Sequence, residues 1–330
     1  MPIGKVRRQG KKYLNPLPTS VGSASLFLKV LYLYVTNREE RTPKRSPGPF
    51  RTDARVYDNP PASGLRVTWM GHSTTLLEID GVKVLIDPVW EQRAAPVEWA
   101  GPKRFFAPPL RLEEMPRIDV VLLSHDHYDH FGTHTMRRLT QLEPTAGAQW
   151  VTTLGVGKIL QELGVKQVRE LDWTESLEVG PLRLTALPAR HFSGRSPFNR
   201  FETLWASFVL AGPKHRVYYG ADSGEWPGFQ EIAQAYGPFD LTMLEIGAFD
   251  PLWEDIHMGP DGAVRMFRAM GSTGLMMPIH WGLFDLALHA WRQPIERVFA
   301  MEDLKILAPE PGLPTEVVGG SEVRSEWWRR

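Results

Sequence analysis

From Leu65 onward, short apolar runs alternate with polar breaks rich in glycine, proline and aspartate. The segments LRVTWM (65–70) and TTLLEIDGVKVLID (74–87) predict strands, with Asp80-Gly81 as a hairpin turn between two of them. DVVLLS (119–124) predicts a buried strand. QWVTT, KQVREL, LRLTALP, WASFVLAG, HRVYYGAD, DLTMLEIG and LMMPIH predict further strands. Helices are predicted between them at 133–142, 155–163, 227–236, 260–270 and 285–299. Many strands with interspersed helices argue for sheets covered by helices, a layered α/β sandwich, although the pattern leaves strand pairing open. No internal repeat or low-complexity tract interrupts it.

Composition adds limits. With 330 residues, 42% of them hydrophobic, the chain can bury a sizeable core and is not disordered as a whole. It has no cysteine, so a metal site has to be built from His, Asp, Glu or carbonyl groups. The net charge of zero hides an asymmetry: residues 1–55 carry 12 Lys or Arg against 3 acidic residues, and the remainder 26 against 35. Residues 1–60 therefore read as a basic N-terminal arm. Within it, ASLFLKVLYLYV (24–35) is too short to cross a bilayer, but it can lie on one or pack on the core. No secretory signal is recognised, so the expected location is cytoplasmic, with peripheral membrane contact through the arm. The acidic remainder argues against a nucleic-acid partner.

The chemistry concentrates where strands stop. SHDHYDH (124–130) follows the DVVLL run, His191 follows LRLTALPAR, Asp222 follows RVYYGA and His280 follows LMMPI. If these strands are neighbours, their ends converge on one sheet edge, where loops hold reactive groups on a rigid frame. His125 and His127, two apart in an extended loop, point the same way, and Asp129 and His130 arrive as the chain turns into a helix. One segment can thus serve two adjacent ions, with Asp222 the natural bridge. A cysteine-free nitrogen and oxygen set suits Zn²⁺, with Fe or Mn as other occupants.

H-x-H-x-D-H followed by a distant His, an Asp and a final His resembles the metallo-β-lactamase superfamily. GHSTTLLEIDGVKVLIDPVW, GPKRF, IDVVLLSHDHYDH, GPFDL, IGAFDP and PIHWG resemble, in order, segments of its N-acylphosphatidylethanolamine-hydrolysing phospholipase D group. The likeness spans roughly 65–291 and implies an αβ/βα four-layer sandwich over 61–330. It implies His125, His127 and His191 on one metal, Asp129, His130 and His280 on the other, and Asp222 bridging. Asp126 stands where an amide residue is expected. His257, in EDIHMGP, resembles a histidine near the catalytic pocket. Asp87 is expected to orient a ligand from behind, and His72 to be structural or to support a ligand. His134, His215 and His289 have no supporting context and are expected to be exposed. Trp253 and Trp281 are candidates to line an acyl-chain groove.

The implied reaction is attack of a metal-bridging hydroxide on a phosphodiester, with Asp129, Asp222 and His257 as catalytic residues. His257 or an Asp129-linked water would protonate the leaving oxygen. An N-acylphosphatidylethanolamine-like lipid would yield N-acylethanolamine and phosphatidic acid. A lactonase, or another small-molecule ester or phosphodiester hydrolase, would use nearly the same motif. The expected partners are the phospholipid or ester substrate, a membrane surface and a second copy of the chain in a homodimer.

Overall fold

The computed structural model describes residues 3–22 and 24–330, with the backbone alone for 24–27, so part of the apolar 24–35 segment lies outside the described side chains. Two sheets pack face to face. The first has seven strands: β3 (Leu65–Gly71), β4 (Thr74–Ile79), β5 (Val82–Ile86), β6 (Val120–Leu122), β7 (Gln149–Thr153), β8 (Val168–Leu171) and β16 (Thr315–Glu316), in the order β16-β3-β4-β5-β6-β7-β8. The second has six: β9 (Ser176–Val179), β10 (Leu182–Leu187), β11 (Ser207–Ala211), β12 (Arg216–Tyr219), β13 (Leu241–Glu245) and β14 (Leu275–Ile279), paired in sequence order. Two short pairs complete the strands: β1 (Arg7–Gln9) with β2 (Lys12–Leu14), and β15 (Leu307–Ala308) with β17 (Val323–Arg324).

The period-2 alternation of strand side chains explains the layering. On β6, Val120 and Leu122 join the core between the sheets, whereas Val121, and Leu123 just after the strand, face the other way. On β5, Val84 and Ile86 point inward and Leu85 outward. The outward face of the seven-stranded sheet is covered by α2 (Thr133–Leu139) and α3 (Val156–Glu162), through Met136, Leu139, Val156 and Leu160. The six-stranded sheet is covered by α4 (Gly228–Tyr236), α5 (Gly259–Ala269) and α6 (Gln293–Phe299), through Phe229, Val264, Phe267 and Ile295. The result is a four-layer αβ/βα sandwich. Strands buried on both faces must be apolar throughout, which is why DVVLL reads as a continuous run.

Five readings of the sequence are corrected. The helix at 285–299 is confined to α6; Pro294 suits a first turn, and residues before it form a loop held by the N-terminal segment. SLEV, passed over in the sequence, forms β9 by pairing with β10. Trp281 is 3% exposed and stacks against Trp69 and Trp327 in the core, so it borders only the small cavity beside His280 and no acyl-chain groove. His215 is half-buried and bonds Asp80 Oδ1 through Nδ1 at 2.7 Å, joining the β4–β5 turn to the β11–β12 turn, while His289 is half-buried and stacks on Phe249. His134 is exposed.

The N-terminal residues are laid on this frame. Tyr13, Phe50 and Tyr57 are buried, and α1 (Ala24–Thr36) is anchored by Tyr34 to the carbonyl of Asp285, followed by Asn37 to that of Leu288. The helix nevertheless shows solvent an apolar stripe of Leu28, Leu31, Tyr32 and Val35, with i, i+3, i+4, i+7 spacing. No helix among the described residues is long and apolar enough to cross a membrane.

Candidate metal centre

Most of the site residues sit at or shortly after the end of a strand. His72 follows β3, Asp87 follows β5, the 124–130 loop follows β6, His191 follows β10, Asp222 follows β12, Glu245 ends β13 and His280 follows β14. Leaving a strand abruptly requires unusual backbone: His72, Asp87, Ala221 and His280 have φ of 56°, 40°, 51° and 61°. Left-handed conformations at non-glycine residues cost energy and persist where the surroundings enforce them, so their clustering here marks a constrained site.

The side chains converge in two sets. His125 Nε2 lies 2.9 Å from His127 Nδ1, and His191 Nε2 lies 3.2 Å from the same atom. Two imidazole nitrogens on one tetrahedral Zn²⁺ stand about 3.3 Å apart, so this trio fits an ion with little movement. In the second set, Asp129 Oδ2 is 3.2 Å from His280 Nε2, 3.7 Å from His130 Nε2 and 3.0 Å from His72 Nε2. Asp222 Oδ2 stands between the sets, 3.1 Å from both His130 Nε2 and His280 Nε2, 3.6 Å from His191 Nε2 and 3.8 Å from His125 Nε2. Among the described residues, His130 Nε2, His280 Nε2 and Asp222 Oδ1 are buried without a hydrogen-bond partner, which suits cation ligands. All seven residues named from the sequence are therefore brought together, and His72 joins them.

Protonation fits the same use. Burial is the dominant cause that pushes His125 and His191 well below the ordinary imidazole range, leaving neutral donors. Burial and the neighbouring His280 lower His72 to about 3. In the second set burial is outweighed by Asp222 and Asp129, which raise His130 strongly and His280 to about 10. Asp222 is held well below the carboxylate range, against burial, by His130 and His280. A cation entering there displaces protons from these imidazoles.

A further layer holds the ligands. Asp87, fully buried, accepts from the Ser124 amide at 2.8 Å, His130 Nδ1 at 2.7 Å and the Ser124 and Tyr219 hydroxyls. The bond to Nδ1 turns His130 Nε2 toward the centre. Asp126, also buried, accepts from the Gly194 amide at 2.7 Å and the Thr203 hydroxyl at 2.8 Å, so it fastens the His191 loop to the 124–130 loop. Arg195 returns the link, donating to the Asp126 carbonyl at 2.7 Å and to Thr133 Oγ1 at 2.6 Å, with its guanidinium over Tyr128. His257 stands at the partly open rim, its ring 5.1 Å from that of His191 and 5.2 Å from that of His280, and its Nδ1 is 2.6 Å from Glu245 Oε2. Burial raises the Glu245 carboxyl above its ordinary range, with His257 acting against it. Glu245, Arg195 and Ser124 were not singled out as site residues; Glu245 did carry a signal, an acid closing the apolar run DLTML.

Comparison with known proteins agrees with this geometry. Residues 82–281 match the family described as Beta-lactamase superfamily domain. An uncharacterized Mycobacterium tuberculosis protein is 44% identical over 340 residues, covering 99% of this chain and 90% of that protein. The N-acyl-phosphatidylethanolamine-hydrolyzing phospholipase D 1 of Caenorhabditis elegans is 36% identical over 263 residues, covering 74% of this chain and 72% of that one. The crystal structure of an isothiocyanate hydrolase from Delia radicum gut bacteria shares the fold, with a TM-score of 0.62 at 20% identity over 76% of this chain and 99% of that chain. The strand-end histidines and aspartates, the four-layer sandwich and these relatives lead to one assignment: the chain belongs to the β-lactamase superfamily and is a metal-dependent hydrolase.

Proposed function

We propose that this protein is a binuclear, Zn²⁺-dependent phosphodiesterase of phospholipase D type, acting on N-acylphosphatidylethanolamine-like lipids. The observation that carries the reading is the placement of Asp222 Oδ2 within 3.1–3.8 Å of nitrogens from both ligand sets, a position suited to a bridging carboxylate. His125, His127 and His191 would hold one ion, Asp129, His130 and His280 the other, and Asp222 both. When bound, such ions supply Lewis acidity and lower the pKa of water toward about 7. The protein's own residues do the rest. Asp87, Asp126 and Arg195 hold the two ligand loops in register, and the deep burial of the ligands keeps bulk water from them. His257, oriented by Glu245 at the open rim, is placed to deliver a proton to the leaving oxygen. Water oxygen is gained by phosphorus as the bond to the N-acylethanolamine oxygen breaks, leaving phosphatidic acid.

The lipid assignment draws on the Caenorhabditis elegans relative and on the exposed stripe of α1. Leu28, Leu31, Tyr32 and Val35 are 66, 53, 67 and 81% exposed, within an arm rich in Lys and Arg, the composition of a segment that lies on an anionic membrane. A second reading, a hydrolase of small esters or lactones, would use the same ligand set. Bounded by Gly247, Trp281, Phe284, Leu286 and Trp291, the cavity beside His280 holds about 10 Å³, room for about one water, so either substrate would require movement of the 281–291 loop.

Metal analysis combined with turnover of a synthetic N-acylphosphatidylethanolamine and of a lactone panel tests the proposal. Two transition-metal ions per chain, with release of N-acylethanolamine, are expected. Lactone turnover without diester hydrolysis would replace the first reading with the second.

A further inference from the structure

Residues 13–20 lie directly against the loop that supplies His191. The Asn15 carboxamide meets both backbone polar groups of His191: Nδ2 donates to the His191 carbonyl at 2.6 Å, and the His191 amide donates to Oδ1 at 2.9 Å. A single side chain thus imitates the pairing of a neighbouring strand at a point where β10 has already ended and β11 has not begun. The adjacent contacts continue the seam. Tyr13 donates its amide to the Phe201 carbonyl at 2.8 Å, and Arg190 donates to the Pro18 carbonyl at 3.0 Å and Thr19 Oγ1 at 3.2 Å. Asp255, two residues before His257, receives the Arg190 guanidinium at 2.5 Å and the Ser20 amide at 2.8 Å.

We infer that Asn15 is a positioning residue for the ion held by His125, His127 and His191. His125 and His127 share one loop already fastened by Asp126 and Asp87, whereas His191 comes from an excursion of the chain outside the sheet. Its imidazole is aimed by the Nδ1 bond to the Ile256 carbonyl at 3.0 Å and by the position of its own backbone, which Asn15 grips directly while Arg190, bonded to Ser223 and Gly224, and the Asp126–Gly194 bond hold the chain on either side. His191 is 1% exposed, so water has little access to replace the lost bonds. Partners that orient metal ligands are worth about 10–100-fold in metal affinity when removed. The basic arm therefore has a role inside the catalytic unit as well as on its surface.

This inference rests on the two-ion reading, and the experiment keeps the two apart. Zn²⁺ affinities of the full-length protein are measured by chelator competition for wild type, Asn15→Leu, Asn15→Asp and Lys5→Ala, with the melting temperature of each metal-free form. Asn15→Leu removes both bonds while keeping the branched side-chain shape, and Asn15→Asp keeps the acceptor but places a carboxylate oxygen against the His191 carbonyl. Both are expected to weaken one ion about 10–100-fold and leave the other within about threefold. Lys5→Ala, which deletes only the exposed arm contact to Glu175, is expected to bind both ions as wild type does. In a His191→Ala background the Asn15 effect should vanish, because both act on the same ion. Unchanged affinities in Asn15→Leu, an equal loss at both ions with a lowered metal-free melting temperature, or full additivity with His191→Ala would each overturn the positioning role. Wild-type protein that binds fewer than two ions would overturn the two-ion reading, and the role of Asn15 with it.

Discussion

Replacing Leu28, Leu31 and Val35 together by Ser would strip most of the apolar stripe from α1 without touching the core, since their side chains are 66, 53 and 81% exposed. Scaling about 2 kcal/mol per fully buried Leu or Val by these exposures gives about 4 kcal/mol for complete immersion of the three. A helix lying in the interface immerses roughly half of such a face, so the variant should lose about 2 kcal/mol, or about 30-fold, in vesicle affinity. Each basic residue near the surface adds up to about 1 kcal/mol on anionic lipid, so the loss is best read by sedimentation with vesicles at fixed salt. Turnover should separate by substrate. Hydrolysis of a vesicle-borne diester should fall in proportion to binding, while a short soluble diester, which needs only the metal centre, should be cleaved at the wild-type rate. Wild-type vesicle affinity in the triple variant, or equal loss on both substrates, would refute the membrane role of this helix.

Asp222→Asn, nearly isosteric, should lower turnover at least about 100-fold and reduce bound metal below two ions, as turnover assays and elemental analysis would show. Glu245→Gln should leave metal content intact while depressing kcat, because it alters the partner of His257 and not a proposed ligand; loss of metal would instead place Glu245 among the ligands. The Arg66–Glu78 pair on β3 and β4 is buried and far in sequence from the metal loop, so Glu78→Ala should cost about 3–5 kcal/mol in denaturant unfolding by stranding the guanidinium. Metal-free protein should also respond to pH. His280 keeps its proton to about 10 in the fold but to 6.5 in the unfolded chain, so its stabilisation is full below pH 6.5 and disappears as the pH rises through about 10. Melting temperatures of chelator-treated protein across that window check this, and metal-loaded protein should lack that decline.

Much of the frame was legible because its signals are local. Alternation on β3 to β5 and the continuous run of β6 follow from which faces are buried, and the density of H-x-H-x-D-H leaves few readings other than metal. Misreadings occurred where a residue's meaning depends on a distant partner. His215 looked contextless because its partner, Asp80, is 135 positions away. Trp281 resembles a groove residue by its nearness to His280, yet its ring is taken up by the stack with Trp69 and Trp327. The apolar character of 285–292 suggested helix, but those residues are spent on contacts with the N-terminal segment, and α6 waits for Pro294.

By itself the sequence determined most of the strands and helices from Leu65 onward and the donors that collect where strands end. Those properties belong to short windows, in which side-chain periodicity and chemistry act directly. Only the tertiary structure decided that His125 and His280, 155 positions apart, face one carboxylate, that Glu245 orients His257, and that Asn15 grips the backbone of His191. Coordination and hydrogen bonding demand atoms about 3 Å apart. That convergence is set by sheet pairing and by the packing of one sheet on the other, which no local pattern encodes.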